Sequence, residues 1–342
     1  MKIKNLSRIF AVGLFGLALF GCGQPKVASL NVTVSDKDKF EGKTIEIVSF
    51  ADSTILASSV ITDGKAKLIF NDNDSVQLPL FTQIMVDGRT RAYYIMEAGN
   101  AQFSDSVSVA SMTPLNDKFT GLLAELDSIE NLDDMNLYLD YAEKVYNDNK
   151  DNPIGAYFGV EWIKYAEPQK VDSFLNVAPV DFRAMRKVKQ CEESARHRAL
   201  TAPGEKYTDF AGETERGKKI KLSSLIKPGK YTLIDFWASW CPYCIKELPD
   251  LQQLYADFGD KDLEIIGVAV RDKTEDTANM VAKHNLTWPV MYNTQRVPYD
   301  IYGFSGIPHH ILLDPDGVIV SRGETAAQIR QRLEAAKGET AN

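Results

Sequence analysis

One stretch of the chain, residues 231–247, constrains the possible fold more than any other. Its first seven residues form a nearly continuous apolar run, which is typical of a strand buried on both faces of a sheet. Leucines and an isoleucine at helical spacing between residues 245 and 254 predict that a helix follows directly. Two cysteines, Cys241 and Cys244, lie where the predicted strand gives way to the predicted helix.

The placement of these cysteines indicates redox chemistry. The start of a helix has unpaired backbone N–H groups and the positive end of the helix dipole, so we expect Cys241 to be stabilised as a thiolate. Pro242 suits the first helical position, where an N–H is not needed. Cys244, one turn later and more enclosed, is placed to attack a mixed disulfide on Cys241. The alternatives are two unrelated core cysteines or a zinc half-site, but zinc needs about four ligands and the sequence offers no second set.

The first 22 residues have the pattern of an export signal. A basic start is followed by an uncharged apolar run that is too short for a comfortable membrane span. The run ends at Leu19-Phe-Gly-Cys22, which resembles the lipobox of bacterial lipoproteins, with Phe20 a departure from the usual residue. The resemblance implies a signal peptide over residues 1–21, lipid on Cys22 and a tether over residues 22–29. A plain secretory signal with a chance cysteine is the alternative.

Charge and cysteine usage narrow the function further. Removing residues 1–21 takes away three of the 39 Lys and Arg residues and none of the 47 Asp and Glu residues, which leaves a net charge near −11. Nucleic-acid binding is not expected, since it needs a basic face. Membrane attachment would come from the lipid.

Apart from Cys22 and the central pair, one cysteine remains, Cys191, so the chain has no framework of structural disulfides. An exported protein of this kind is expected to handle the disulfides of other proteins.

The rest of the chain divides into three regions. Short runs of β-forming residues, separated by turn signals about ten residues apart, predict a small antiparallel β-sandwich over residues 30–114. Its layout resembles a β domain of unknown function in lipoproteins of Gram-negative anaerobes. Residues 115–200 have helical periodicity and predict a helical connector, in which basic residues cluster between 183 and 198. That cluster is either a solvated helix face or a site for an acidic partner. Strands alternating with helices predict an α/β domain over residues 201–342.

Residues 203–338 resemble the thioredoxin-like superfamily, and within it the TlpA/ResA-type extracytoplasmic thiol–disulfide oxidoreductases. The resemblance is carried by Trp237-Ala-Ser-Trp-Cys-Pro-Tyr-Cys244, by the strand at residues 263–270, by residues 274–292, and by Gly306-Ile-Pro308 with the turn at residues 313–317. It implies an α/β thioredoxin-like fold for the C-terminal domain. It also implies that Cys241 is the nucleophile, that Cys244 is the resolving thiol, and that the two form the redox-active disulfide.

The resemblance implies further site residues. Asp235 lies where thioredoxins keep a buried carboxylate, and an acid at the end of an apolar strand is expected to have a raised pKa and to shuttle a proton for Cys244. A partly solvated strand-end aspartate is the alternative. Pro308 is expected to be cis and to present the backbone of Ile307 as an edge for a substrate polypeptide. His309 would either tune Cys241 or be exposed.

The expected function is therefore membrane-anchored thiol–disulfide exchange with protein substrates outside the cytoplasm, as a reductant by family resemblance. Trp240, Pro242 and Tyr243 complete the expected substrate-binding surface. We expect protein thiols and disulfides and a recycling redox partner, with no cofactor and no metal. A thiol peroxidase of peroxiredoxin type is one alternative, although Ala238 and Ile234 stand where that class has Thr and Pro. A partner-binding scaffold lipoprotein is the other.

Overall fold

The structure is a computed structural model that describes residues 27–71, 77–132, 134–259 and 262–340. The predicted signal peptide, the predicted lipidation site Cys22 and most of the predicted tether lie outside these residues. Secondary-structure elements are numbered below in chain order.

The N-terminal part of the chain forms two β-sheets that share one buried core. Its elements are β1 (Val27–Thr33), α1 (Lys37–Phe40), β2 (Thr44–Ser49), β3 (Ile55–Val60), β4 (Lys65–Asn71), β5 (Leu80–Val86), β6 (Arg89–Met96) and β7 (Gly99–Ser104). One sheet has the strand order β4-β1-β7 and the other has the order β3-β2-β5-β6. Apolar side chains from both sheets are buried together, as expected for a sandwich.

Strand direction in these sheets differs from the prediction at one place. The four-stranded sheet is antiparallel throughout, as predicted. In the three-stranded sheet, however, β1 and β7 are parallel. Between these two strands the chain crosses to the other sheet, and it comes back at β7 running in the same direction as β1. The sequence pattern does not predict β3, since its apolar ends, Ile55 and Val60, are exposed at a sheet edge and its middle is small and polar.

The helical connector predicted from the sequence is present. Its helices are α2 (Pro114–Glu130), α3 (Met135–Asn149), α4 (Pro153–Tyr165), α5 (Pro168–Val177), α6 (Val180–Ala184) and α7 (Arg186–Leu200). Helix α4 is buried along ten consecutive residues and packs on β5. Its Tyr157 ring stacks on Phe81 of β5, and Phe119 of α2 meets Phe81 edge-on. The four-stranded sheet and the helices therefore share one aromatic-rich core.

The C-terminal domain is a five-stranded mixed sheet with apolar clusters on both faces. Its elements are β8 (Ala211–Glu213), β9 (Lys219–Lys221), β10 (Tyr231–Trp237), α8 (Pro242–Phe258), β11 (Leu263–Ala269), α9 (Thr274–His284), β12 (Val290–Met291), α10 (Val297–Tyr302), β13 (His309–Leu313), β14 (Ile319–Arg322) and α11 (Ala326–Thr340). The order is β12-β11-β10-β13-β14, with β10 in the centre and antiparallel to β13. The predicted α/β thioredoxin-like fold is confirmed.

Two arginines, which we call the arginine clamp, join the helical connector to this domain. Arg198 of α7 donates from Nη2 to the carbonyl of Ile163 at 2.9 Å and from Nη1 to the carbonyl of Gly303 at 3.4 Å. Arg322 of β14 donates from Nη1 to the carbonyl of Arg198 in α7 at 3.3 Å and to the carbonyl of Thr201 at 2.9 Å. Hydrogen bonds from a charged donor are stronger than neutral ones, so the clamp holds α4, α7 and the end of α10 together.

Gly303, at the end of α10, allows the chain at that point to lie close to α7. Its φ is +66°, and a Cβ added there would meet the backbone of Ser194 and Arg198. We expect Gly303→Ala to lower the free energy of unfolding by about 2 kcal/mol or more, because both the left-handed backbone and the backbone contacts oppose a side chain. Urea denaturation measures this loss. Gly121→Ala in α2 is the control: nothing lies within 4 Å of an added Cβ there, so that variant should be as stable as the parent or more so. Equal stability of the two variants would contradict this account of the joint.

Candidate active site

The two cysteines lie at the junction that the sequence predicts. Strand β10 ends at Trp237, Cys241 is the N-cap of α8, and Pro242 is the first helical residue. Cys241 and Cys244 form a disulfide. The backbone N–H of Cys244 donates to the Sγ of Cys241 at 3.2 Å. This N–H of the first helical turn therefore points at the sulfur, where it stabilises negative charge when the disulfide is opened.

The expected difference in burial between the two cysteines is wrong. Cys241 and Cys244 are each 3% exposed in this oxidised form. Both belong to the same apolar cluster as Trp237. The exposed groups are their neighbours: the side chains of Trp240 and Tyr243 are 53% and 74% exposed. A partner that approaches the disulfide therefore meets a rim of aromatic side chains before it meets sulfur.

The loop before β13 lies directly beside the disulfide. The Ile307–Pro308 peptide is cis, as predicted. The Sγ of Cys241 lies 3.7 Å from the carbonyl oxygen of Ile307. Among the described residues, neither the N–H nor the carbonyl of Ile307 has a backbone hydrogen-bonding partner. An unpaired backbone edge next to a sulfur offers an extended peptide a place to pair.

Asp235 is buried, which excludes the partly solvated alternative, and it has a partner that the sequence analysis missed. It pairs across the sheet with His310 of β13, and Oδ1 lies 3.4 Å from Nε2. The other ring nitrogen, Nδ1, donates to the carbonyl of Glu324 at 2.8 Å and lies 3.9 Å from Oε1 of Glu247. Glu247 follows Cys244 by three residues on α8, so the two share a helix face. The role of Asp235 as a proton shuttle stays a prediction.

The charge of His310 follows from these contacts. Burial by itself lowers the pKa of His310, but the adjacent carboxylate of Asp235, followed by the charge of Glu247, outweighs burial and raises the pKa to about 9. The ring is therefore an imidazolium at neutral pH. It offsets the cost of burying a carboxylate beside it.

His309 is not the exposed strand-end residue that one alternative describes. It is half-buried and stacks on Phe304 with ring centroids 4.7 Å apart. Burial, followed by the charges of Arg322 and His310, lowers the pKa of His309 to about 3. Its ring is therefore neutral at physiological pH.

Asp272 anchors the segment that leads to Cys241, and the sequence analysis missed it. The carboxylate accepts hydrogen bonds from the N–H and Oγ of Ser239 at 2.7 and 2.8 Å, and from the Oγ1 of Thr277 at 2.9 Å. Next to it, Trp240 donates from Nε1 to the carbonyl of Arg271 at 3.0 Å. One signal could have identified Asp272: it follows buried strand β11, and the carboxyl ends of parallel strands meet at one edge of a sheet.

Metal-binding clusters and membrane-spanning helices are both absent from the described residues. These residues contain no group of three or more His, Cys, Asp or Glu residues placed to hold a metal ion. None of their helices combines the length and apolar character that a membrane crossing requires. Cys191 is a free cysteine, buried in the core of the helical connector, where burial raises its pKa.

Comparison with known proteins places this site in a family. Residues 203–322 match the AhpC/TSA family. The thiol-disulfide oxidoreductase ResA of Halalkalibacterium halodurans is 29% identical over 145 residues, which are 42% of this chain and 81% of that protein. ResA of Bacillus anthracis is 32% identical over 133 residues, which are 38% of this chain and 74% of that protein.

A solved structure from the same class of protein also matches part of this chain. It is the thioredoxin domain of a thiol-disulfide oxidoreductase from Bacteroides vulgatus, at 30% identity, with 39% of this chain and 96% of that chain covered and a TM-score of 0.36. Identity of this extent to ResA proteins, together with the disulfide at the start of α8, settles the family. This chain therefore belongs, through its C-terminal domain, to the TlpA/ResA-type thiol–disulfide oxidoreductases of the thioredoxin-like superfamily.

Proposed function

We propose that this enzyme is anchored to a membrane outside the cytoplasm and reduces disulfides of client proteins. The observation that carries the proposal is the Cys241–Cys244 disulfide at the N-terminus of α8, next to the unpaired backbone of Ile307. The disulfide provides a two-electron redox couple, and the unpaired backbone of Ile307 provides a place for a polypeptide to lie across the disulfide.

The reaction proceeds through two exchanges. In the reduced enzyme, the thiolate of Cys241 attacks one sulfur of the client disulfide, and the other client sulfur leaves as a thiolate that takes up a proton. The thiolate of Cys244 then attacks the Sγ of Cys241, which re-forms the intramolecular disulfide and releases the second client thiol. The client gains two electrons and two protons, and the enzyme loses them. A recycling redox partner returns the enzyme to the dithiol form.

The client is expected to bind as an extended segment. It would pair with the backbone of Ile307 and pack on the exposed rings of Trp240 and Tyr243, while Pro242 keeps the first helical turn free of a further N–H. Aromatic rings suit this task because they contact many different side chains through apolar surface.

Attachment to the membrane rests on the sequence around Cys22. The anchor is tested by growing cells with a labelled fatty acid and comparing the parent with Cys22→Ser. We expect the label on the parent protein alone, and we expect the variant in the soluble envelope fraction. Equal labelling of both proteins would refute lipid attachment at Cys22.

The direction of electron flow and the client are tested together. Cys244→Ala should accumulate a mixed disulfide between Cys241 and its client in cells, and mass spectrometry identifies the captured protein. The reduction potential of the wild-type pair, measured against glutathione, should be more negative than about −200 mV if the enzyme is a reductant. A potential near −120 mV would instead make it an oxidant.

Two further results would favour the alternative functions. Peroxide consumption far above that of a free thiol would favour the peroxidase alternative, and an intact phenotype in Cys241→Ser cells would favour the scaffold alternative.

A further inference from the structure

A large cleft lies between the helical connector and the C-terminal domain. It encloses about 1000 Å³ between α7 on one side and α10 with its flanking loops on the other. Six basic side chains line it, and we call it the basic cleft: Lys164, Arg186, Lys187, Arg198, Arg271 and Arg296.

Two residues that line the basic cleft lie close to the chain segments that flank the disulfide. One wall includes Arg271, whose carbonyl accepts the hydrogen bond from Trp240, the residue before Cys241. Another includes Ser305, two residues before Ile307, whose carbonyl lies 3.7 Å from the Sγ of Cys241. One flanking segment of the reacting sulfur is therefore hydrogen-bonded to a cleft residue, and the other contains a cleft residue two positions away from Ile307.

The charge of the cleft is opposite to that of the chain. The formal net charge of the chain is −8, yet six cations and only two carboxylates, Glu193 and Asp300, line the cleft, and one further carboxylate, Glu161, pairs with Lys164. Within the part of the chain that the structure describes, the side chains of Arg186, Lys187 and Arg271 have no carboxylate within ion-pair distance. Concave walls of one charge concentrate the field, so the cleft attracts anionic groups.

The spacing of the charges indicates the shape of the ligand. The lining of the cleft runs along α7 from Arg186 to Arg198, which is twelve residues or about 18 Å along the helix, and the guanidinium of Arg198 itself is held by backbone carbonyls. A single small anion cannot span this length. An extended chain with several carboxylates can, and its reach matches a peptide segment of about five or six residues.

These observations deepen the proposed function and rest on it. We propose that the basic cleft binds an acidic segment of the client polypeptide, next in sequence to the cysteine that reacts with Cys241. Part of the basic cluster between residues 183 and 198 is then a binding wall, and the rest is a solvated face. The cleft selects clients by charge, whereas the Cys241–Cys244 pair performs the exchange.

The test compares two disulfide-bonded peptides. They differ only in the four residues next to the cysteine, which are all Glu in one peptide and all Gln in the other. Stopped-flow fluorescence gives the rate constant for each peptide with the reduced full-length enzyme. Each rate is divided by the rate with 2-hydroxyethyl disulfide, a small uncharged acyclic disulfide. The cleft variant carries Arg186→Gln, Lys187→Gln and Arg296→Gln. The matched control carries Arg183→Gln, Lys189→Gln and Arg196→Gln, which remove the same charge from basic residues that do not line the cleft.

We expect the parent and the control variant to prefer the acidic peptide about tenfold at low salt, and the preference to shrink as salt is added. The cleft variant should prefer it less than about twofold. The proposal would be overturned if the parent enzyme reacted at equal rates with both peptides, or if both variants lost the preference to the same extent. It would also be overturned if the parent enzyme bound anionic vesicles but did not distinguish the two peptides. A parent that reacts with none of the three disulfides would instead refute the proposed function.

Discussion

Replacing Cys241 by serine is expected to slow disulfide exchange by more than about a thousandfold. The attacking species is a sulfur anion, and a serine hydroxyl does not provide an equivalent anion near neutral pH. The start of α8 stabilises that anion because the N–H of Cys244 points at the sulfur. The measurement is the rate constant for reaction of the reduced enzyme with a disulfide-bonded peptide, followed by alkylation and mass spectrometry.

Cys191→Ser is the matched control for this experiment. It makes the same chemical change at a cysteine that is buried in the helical connector and has no part in the disulfide. We expect it to keep the exchange rate of the parent, even if the protein loses some stability. Exchange by Cys241→Ser at the rate of the Cys191→Ser control would mean that another group attacks the client.

The free energy of unfolding is expected to be highest near pH 6.5, because two neighbouring histidines have pKa values displaced in opposite directions. The pKa of His310 rises from 6.5 to about 9. Between these values the folded protein holds a proton that the unfolded chain has released, so stability falls as the pH rises. The pKa of His309 falls from 6.5 to about 3. Between those values only the unfolded chain holds the proton, so stability falls as the pH drops.

The alkaline limb gives the clearer measurement. The displaced pKa of His310 corresponds to about 3 kcal/mol of stability, fully present below pH 6.5 and lost by about pH 9. Urea denaturation of the oxidised protein at these two pH values should show this loss in the parent and less than about 1 kcal/mol in His310→Gln. His284→Gln, a substitution outside the Asp235 contact, should keep the full loss.

NMR provides a second check that does not depend on the variant folding well. The His310 ring signal of the parent should titrate with a midpoint near 9, because the contacts with Asp235 and Glu247 favour the imidazolium. A midpoint at or below the ordinary histidine value would show that these carboxylates do not hold a charged ring.

Local patterns predicted the centre of the site. The strand, the cysteines and the helix are consecutive in the chain, and Gly306-Ile-Pro308 is a contiguous motif, so each is visible without knowledge of tertiary contacts. The same holds for the alternating elements of the C-terminal domain, whose fold the structure confirms. Helical periodicity was also sufficient to locate the connector.

The missed features depend on register and packing. His310 meets Asp235 because β13 pairs with β10 in one particular register, and Asp272 meets Ser239 because two strand ends share an edge. Neither relation is encoded in spacing along the chain. The equal burial of the two cysteines depends on what packs over Cys241, which local sequence does not report. The parallel β1–β7 pair likewise arises from the path between sheets, since each strand alone fits either direction.

The arginine clamp has a practical consequence for work with shortened versions of this enzyme. A fragment that begins at residue 201 keeps both cysteines and Pro308, but it loses Arg198 and all of α7. The carbonyl of Gly303 then loses its guanidinium donor, and four of the six cations of the basic cleft are lost, one with α4 and three with α7. Such a fragment is expected to exchange disulfides without selecting clients by charge, and its broad substrate range would describe the excised module rather than the intact enzyme.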